Sequence, residues 1–226
     1  MVKHFLYLLF FFVPIINKAG SDKPVSVIEC STDVYAALNL SAKGLSNEVF
    51  QLALKGFHKL ESIGKLQNPD ILTIVDFSQS SKNKRLYIID LKNKLLLFNT
   101  YVAHGRNTGE EFAKYFSNKA GSCKSSLGFY ITKNHARGSV VGLSLIIDGV
   151  EKGFNDNALK REIIIHGAAY ATEQFIRQNG RLGRSFGCPS VPPDLIKPVI
   201  ETIEKGTCLF IYQQDNFYIQ HSSLLN

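Results

Sequence analysis

The spacing of hydrophobic positions changes near residue 70. Ahead of it, Val49, Phe50, Ala53, Phe57, Leu60 and Ile63 recur on one face at helical intervals, and Ser46 stands where an N-cap belongs. The stretch STDVYAALNL reads as a shorter helix before it. Residues 30–68 therefore predict a small N-terminal helical cap. It ends at Asn68-Pro69, because a residue before proline is pushed away from helical backbone. From Leu72 the pattern becomes that of strands: LTIVDF, RLYIIDL, LLLFNTYVAHG, LGFYITK, VGLSLIID, EIIIHG, TCLFIY and FYIQ, with Lys92-Asn93 turning the second into the third. Two helices interrupt the series. One runs from a Thr172 cap to the stop signal Asn179-Gly180; the other opens at Pro192-Pro193 and covers DLIKPVIETIEKG, with a kink expected at Pro198. Many short strands with few crossover helices predict a mainly β (α+β) domain over residues 69–222, mostly antiparallel, closed as a barrel or folded as a sandwich.

The first residues have another pattern. One lysine is followed by an apolar run from Phe5 to Ile16 and then by Ala19-Gly20. A core of that length fits a signal peptide over residues 1–19 rather than a membrane span, which needs about 18 apolar residues. A lipoprotein signal is not read at Cys30, because Glu29 precedes it. Cleavage near Ala19 removes Lys3 and Lys18 and no acid, lowering the formal charge of the 226-residue chain from +7 to +5. The mature protein is expected to be exported, to a periplasm or cell envelope, with no stable membrane span. Its mild positive charge suits a polymer bearing carboxylates. Nucleic acid is excluded as the expected partner, since no basic run is interleaved with aromatics.

Four cysteines remain to be placed: Cys30, Cys123, Cys188 and Cys208. No C-x-x-C occurs, so neither a zinc knuckle nor a thioredoxin motif is signalled, and no cofactor is called for. Cys208 sits in an apolar strand and reads as buried. Cys188 is different. In GRLGRSFGCPS it lies between Gly187 and Pro189, a rigid frame that a disulfide does not need. A free thiol is only a few per cent thiolate at neutral pH, so a nucleophilic cysteine wants a nearby imidazole. His104 in VAHGRN and His166 in IIIHGAAY both end apolar strands before a glycine. His166 is the stronger base candidate, 22 residues ahead of the cysteine across one short helix.

These residues resemble the H-G…S-x-G-C signature of the YkuD-type L,D-transpeptidases of bacterial cell walls. His166-Gly167 fill the H-G, and Ser185, Gly187 and Cys188 the S-x-G-C. GSCKSSLGFYITK is similar to the strand that precedes the site in that family, with Gly128 and Tyr130 in register. The likeness is greatest to a divergent murein L,D-transpeptidase subfamily and runs from about residue 35 to 212. Two positions depart from the wider pattern. Ser190 stands where the family carries an arginine two residues after the cysteine, and Phe186 where it usually has a histidine.

The resemblance implies that the Cys188 thiolate attacks the bond between the third residue of a peptidoglycan stem peptide and a terminal D-alanine. His166 would act as base and then acid, oriented by the carbonyl of Gly167 or Ala168. The thioester would pass to an amine, giving a 3→3 crosslink, or to water. Pro189 has no N–H, so the oxyanion donors are expected from Cys188, Gly187 or an earlier amide, with Ser185 shaping the turn. Arg184 and Arg181 are the expected replacements for the missing arginine and would read the D-alanine carboxylate. His104, Gly167, Ser190 and Tyr130 complete the expected substrate-binding set. Three rival readings compete. A papain-like protease would place its cysteine before its histidine. A zinc site from His104, His166 and Cys188 lacks local ligand spacing. A non-catalytic wall-binding module would not need both Cys188 and His166.

Overall fold

The computed structural model describes residues 34–226, so the expected signal peptide and Cys30 lie outside the described residues. A turn of helix at residues 34–37 leads into helix α1, Asn47–Ser62. Ser46 caps α1 by accepting from the Val49 N–H at 3.2 Å. The predicted apolar face is buried except for its last member, Ile63, which ends the helix in solvent. Eight strands follow: β1 Ile71–Asp76, β2 Leu86–Asp90, β3 Leu95–Thr100, β4 Gly128–Gly138, β5 Gly142–Gly149, β6 Ile164–Gly167, β7 Ser190–Val191 and β8 Cys208–Tyr212. They form one sheet in the order β3-β2-β1-β8-β4-β5-β6-β7. All pairs are antiparallel except β1–β8 and β6–β7. Every residue of β1 and β8 is buried, which is why both read as near-continuous apolar runs rather than alternating ones, with Thr73 and Asp76 the polar members of β1.

The helical segment expected as a separate cap shares the core of this sheet. Gly56 of α1 rests on the Phe129 ring of β4, where a β-carbon would come within 2.1 Å. Val49, Phe50 and Phe57 join the same cluster as Ile74, Phe129 and Phe210.

Three predicted elements need correction. FYIQ is not a strand: Asn216–His221 is helix α4, capped by Asp215 through the Tyr218 N–H at 2.9 Å. A run of four apolar and polar residues is too short for its period to choose between helix and strand, and the cap decided it. Helix α3 begins at Ile196 rather than at Pro193 and ends at Ile203. Pro198 therefore lies in its first turn, where no N–H is needed, and the expected kink has no cause. The last strand-like residues of LLLFNTYVAHG leave the sheet after Thr100. Helix α2, Glu173–Asn179, has the predicted Thr172 cap and stops at Gly180 with φ 74°.

The two edges of the sheet curl toward each other. Past the end of β3, Ala103 bridges Ser190 of β7, and Gly105 bridges Ser185. Four backbone hydrogen bonds make this seam: Ala103 N–H to Ser190 O at 2.8 Å, Ser190 N–H to Ala103 O at 3.3 Å, Ser185 N–H to His104 O at 2.9 Å, and Arg106 N–H to Ser185 O at 2.7 Å. The result is a nearly closed barrel, and Cys188 lies in the turn between its two bridges.

Candidate active site

The turn is built from its own small residues. Ser185 Oγ donates to the Cys188 carbonyl at 2.6 Å and accepts from the Gly187 N–H at 3.0 Å, closing the loop on itself. Gly187 adopts φ 132°, a conformation side-chain-bearing residues rarely reach, and a β-carbon there would press on the Lys124 carbonyl at 3.0 Å. Ser125 Oγ, donating to Gly187 O at 3.0 Å, holds the turn from below. The Gly187 N–H is thus spent on Ser185. Among the described residues, the Cys188 N–H donates to no carbonyl or side-chain oxygen; it faces its own sulfur. Of the Gly187 and Cys188 amides, the Cys188 amide is the one left free to turn to a substrate.

Strand β6 supplies the imidazole. The parallel register of β6 and β7 sets His166 beside Ser190 and Gly167 beside Val191. His166 Nδ1 lies 3.1 Å from the Gly167 carbonyl, which can only accept, so the proton sits on Nδ1 and Nε2 carries the lone pair. Ser190 Oγ donates to Nε2 at 3.0 Å, and Tyr170 Oη lies 3.0 Å behind that hydroxyl. The imidazole is therefore held at both nitrogens.

Cys188 and His166 line the same cavity, about 770 Å³, between the turn and the β4–β5 hairpin. They are not hydrogen-bonded to each other. The thiol's nearest acceptor is the Glu162 carbonyl at 3.8 Å, and Glu162 sits at φ 54°, turning that carbonyl toward the sulfur. Burial pushes the Cys188 thiol above its ordinary pKa, while the Ile164 N–H and the Arg161 guanidinium pull the other way. Burial likewise lowers His166, with the Gly167 carbonyl opposing. Both shifts run in the direction of the neutral forms, favouring a thiol and an imidazole over a thiolate–imidazolium pair.

Arg161 is the cation that sequence reasoning missed. It lies under the turn, donating to Ser117 O at 2.8 Å, Lys124 O at 2.6 Å and the Ser126 hydroxyl. A Gly187 β-carbon would touch it at 3.4 Å. Nothing in its sequence context, NALKREII, points to a site 27 residues away. Tyr170 and Gly105 were closer to hand, since one belongs to the HGAAY run and the other to HGRN.

The remaining candidates fall elsewhere. Arg181 and Arg184 converge on the Glu110 carboxylate, Arg181 at 2.7 Å, and Arg184 also donates to Arg106 O and Gly109 O. Their charge is already spent within the protein. His104 is not at the pocket rim: it is 1% exposed, with Nδ1 2.8 Å from the buried Arg85 guanidinium and Nε2 donating to Gly109 O at 3.2 Å. Burial and the Arg85 charge push its pKa down to about 3, so it is a neutral strut beneath the seam. Both its nitrogens are taken by Arg85 and Gly109, and among the described residues no three His, Cys, Asp or Glu side chains are grouped to hold a metal ion, so the zinc triad is not assembled. Tyr130 is wholly buried, its hydroxyl on Ser126 O at 3.1 Å, and belongs to the core. Gly167 acts through its carbonyl, packed against Pro193 and Ile196. Cys123, Cys188 and Cys208 are all unpaired, and Cys208 is buried in β8 as its apolar setting predicted.

Fold and site together define a β domain built around a cysteine and a histidine that share one cleft. Residues 41–212 match the family of L,D-transpeptidase catalytic domains, and this chain belongs to that family. Among solved structures, the chain is similar to an L,D-transpeptidase of Mycobacterium tuberculosis, with 12% identity, TM-score 0.41, and 64% of this chain against 58% of that one. It is similar to the helical cell shape determining protein Pgp2 of Campylobacter jejuni, with 13% identity, TM-score 0.44, and 72% against 57%. It is also similar to the L,D-transpeptidase of Enterococcus faecium, with 17% identity, TM-score 0.37, and 63% against 50%. The chain thus spans less than two thirds of each of these proteins. No curated protein sequence matches it.

Proposed function

We propose that this protein is a peptidoglycan L,D-transpeptidase that also works as an L,D-carboxypeptidase when water replaces the acceptor amine. The observation that carries this is the pairing of two features on one cavity wall: an unpaired cysteine in a strained turn, and an imidazole whose Nδ1 is held by the Gly167 carbonyl, leaving the Nε2 lone pair as the basic position, occupied at rest by the Ser190 hydroxyl. A tetrapeptide stem enters the cavity with its third residue against the apolar wall. His166 exchanges its bond to Ser190 for the thiol and takes the Cys188 proton. The thiolate adds to the carbonyl ahead of D-alanine, and the Cys188 N–H stabilises the oxyanion. Collapse breaks the C–N bond, and the D-alanine amine leaves with the proton from His166. The resulting thioester accepts an amine of a second stem, or water. His166 takes the proton of that nucleophile and returns it to the departing Cys188 sulfur.

Arg161 lowers the cost of the thiolate from beneath, in place of the arginine that the wider family carries after the cysteine. Residues 1–19 direct export as a signal peptide, which places the enzyme in the periplasm or cell envelope. The unit that acts on stem peptides spans 69–222 together with α1. Among the described residues no helix is long and apolar enough to cross a membrane. The test is incubation with a disaccharide tetrapeptide and mass spectrometry of the products. Loss of D-alanine with formation of tripeptide or 3→3 dimer is expected, and Cys188→Ala abolishes it. Unchanged tetrapeptide with the wild-type chain refutes the reading.

A further inference from the structure

The wall of the cavity is apolar over most of its area, lined by Val141, Ile146, Leu159, Ile163 and Ile164. Two charged side chains interrupt it: Arg137 on the β4–β5 hairpin and Glu162 beside the nucleophile. Both are exposed residues of its lining. Neither has an ion-pair or side-chain hydrogen-bond partner among the described residues, whereas Lys82, Lys133, Arg181 and Arg184 all have carboxylates. The backbone of Glu162 is also fixed in place. Its N–H bonds to Leu159 O at 3.0 Å, the next residue, Ile163, is buried, and its backbone carbonyl meets the Cys188 sulfur. A pocket of hydrocarbon ending in one unpaired anion and one unpaired cation matches a ligand of the same build: a short methylene stem with an ammonium and a carboxylate at its tip.

We propose, building on the transpeptidase reading above, that Arg137 and Glu162 select the third residue of the donor stem, and that they favour a diamino diacid over lysine. The methylenes of that side chain lie along Val141, Ile146 and Leu159. Its distal ammonium faces Glu162, and its distal carboxylate faces Arg137. A lysine side chain offers the methylenes and the ammonium but leaves Arg137 without a partner. The two charges therefore have separable effects. Glu162 serves both donors, and Arg137 distinguishes them. Because the pair is exposed, each contact is worth a few-fold rather than many orders of magnitude, and salt weakens it.

The experiment uses the full chain and three synthetic tetrapeptides that differ only at the third residue: meso-diaminopimelate, the same residue amidated at its distal carboxylate, and L-lysine. D-alanine release is followed at low and high salt for the wild type, Arg137→Met and Glu162→Gln. The wild type is expected to favour the free diamino diacid by about three- to tenfold in kcat/KM, mostly through KM, and added salt should narrow the ratio. Arg137→Met should bring the three substrates close together by weakening the free diamino diacid most. Glu162→Gln should weaken all three alike and keep their order. A wild-type enzyme that treats the three alike, or an Arg137→Met that lowers all of them equally, overturns the inference while leaving the transpeptidase reading intact. Release from none of the three overturns both.

Discussion

Replacing Gly105 by alanine tests whether the barrel seam sets the position of the nucleophile. A β-carbon at Gly105 would lie 2.6 Å from the Cys123 carbonyl oxygen, 2.9 Å from Gly187 Cα and 3.0 Å from Ser125 N. All three are backbone atoms, so no rotamer change relieves them. Restoring an ordinary contact of 3.4 Å to the carbonyl requires a shift of about 0.8 Å, shared between segment 103–106 and the Cys188 turn. Overpacking of this kind costs about 1–3 kcal/mol, which for a domain of this size lowers Tm by roughly 2–12 °C. A displacement near 1 Å at a reacting group costs on the order of 100-fold, so kcat for D-alanine release should fall about 10- to 100-fold. KM should change little, since the cavity's apolar wall belongs to β5 and to residues 159–164. The control is Gly64→Ala, at φ 66° with nothing within 4 Å. It should lose about 1 kcal/mol through backbone strain and keep its kcat. Thermal melts and steady-state kinetics on both variants decide the matter. A Gly105→Ala enzyme with wild-type kcat would show that the seam does not position Cys188.

Alkylation of Cys188 by iodoacetamide should keep accelerating above pH 8.5, because burial raises the thiol, and Arg161→Met should move the midpoint higher still; a midpoint below 8.5 for the wild type contradicts the neutral resting site. His104 is held neutral down to about pH 3, whereas an unfolded histidine protonates near 6.5, so the unfolded chain binds the extra proton and stability falls as pH drops through that window. His104→Gln should flatten this slope in pH-dependent melts, and it should lower kcat rather than raise KM. Arg184→Ala should change kcat/KM by less than about threefold, its charge being spent on the exposed Glu110; a hundredfold loss in the tetrapeptide assay would return Arg184 to the substrate's carboxylate.

Much of this architecture is written locally. The Ser46 and Thr172 caps, the Lys92-Asn93 turn and the apolar runs of β1 and β8 are each decided by a few neighbouring residues, and each is legible on the page. The rigid frame of Cys188 and the strand-end position of His166 are legible for the same reason. What the sequence could not show is how side chains pair across long separations. Arg184 looks like a free cation until Glu110, 74 residues away, is seen to hold it. His104 resembles His166 in every local respect, ending an apolar stretch before a glycine. Arg85 is what buries one of them as a strut, and a contact across 19 residues leaves no trace in periodicity. Arg161 is the converse case, an ordinary-looking basic residue made important by the turn above it.

The seam between Ala103 and Ser190 also bears on how the chain reaches and leaves its active form. Its two sides are 87 residues apart, so closing it costs about 4 kcal/mol of loop entropy, against four backbone hydrogen bonds worth about 0.5–1.5 kcal/mol each. Such a junction forms only after the interior strands have brought its ends together, and it yields before they do. The reactive cysteine thus lies in the last part of the barrel to be assembled and the first to come apart. A chain caught midway through folding would already have its hydrophobic interior while its nucleophile was still unaimed.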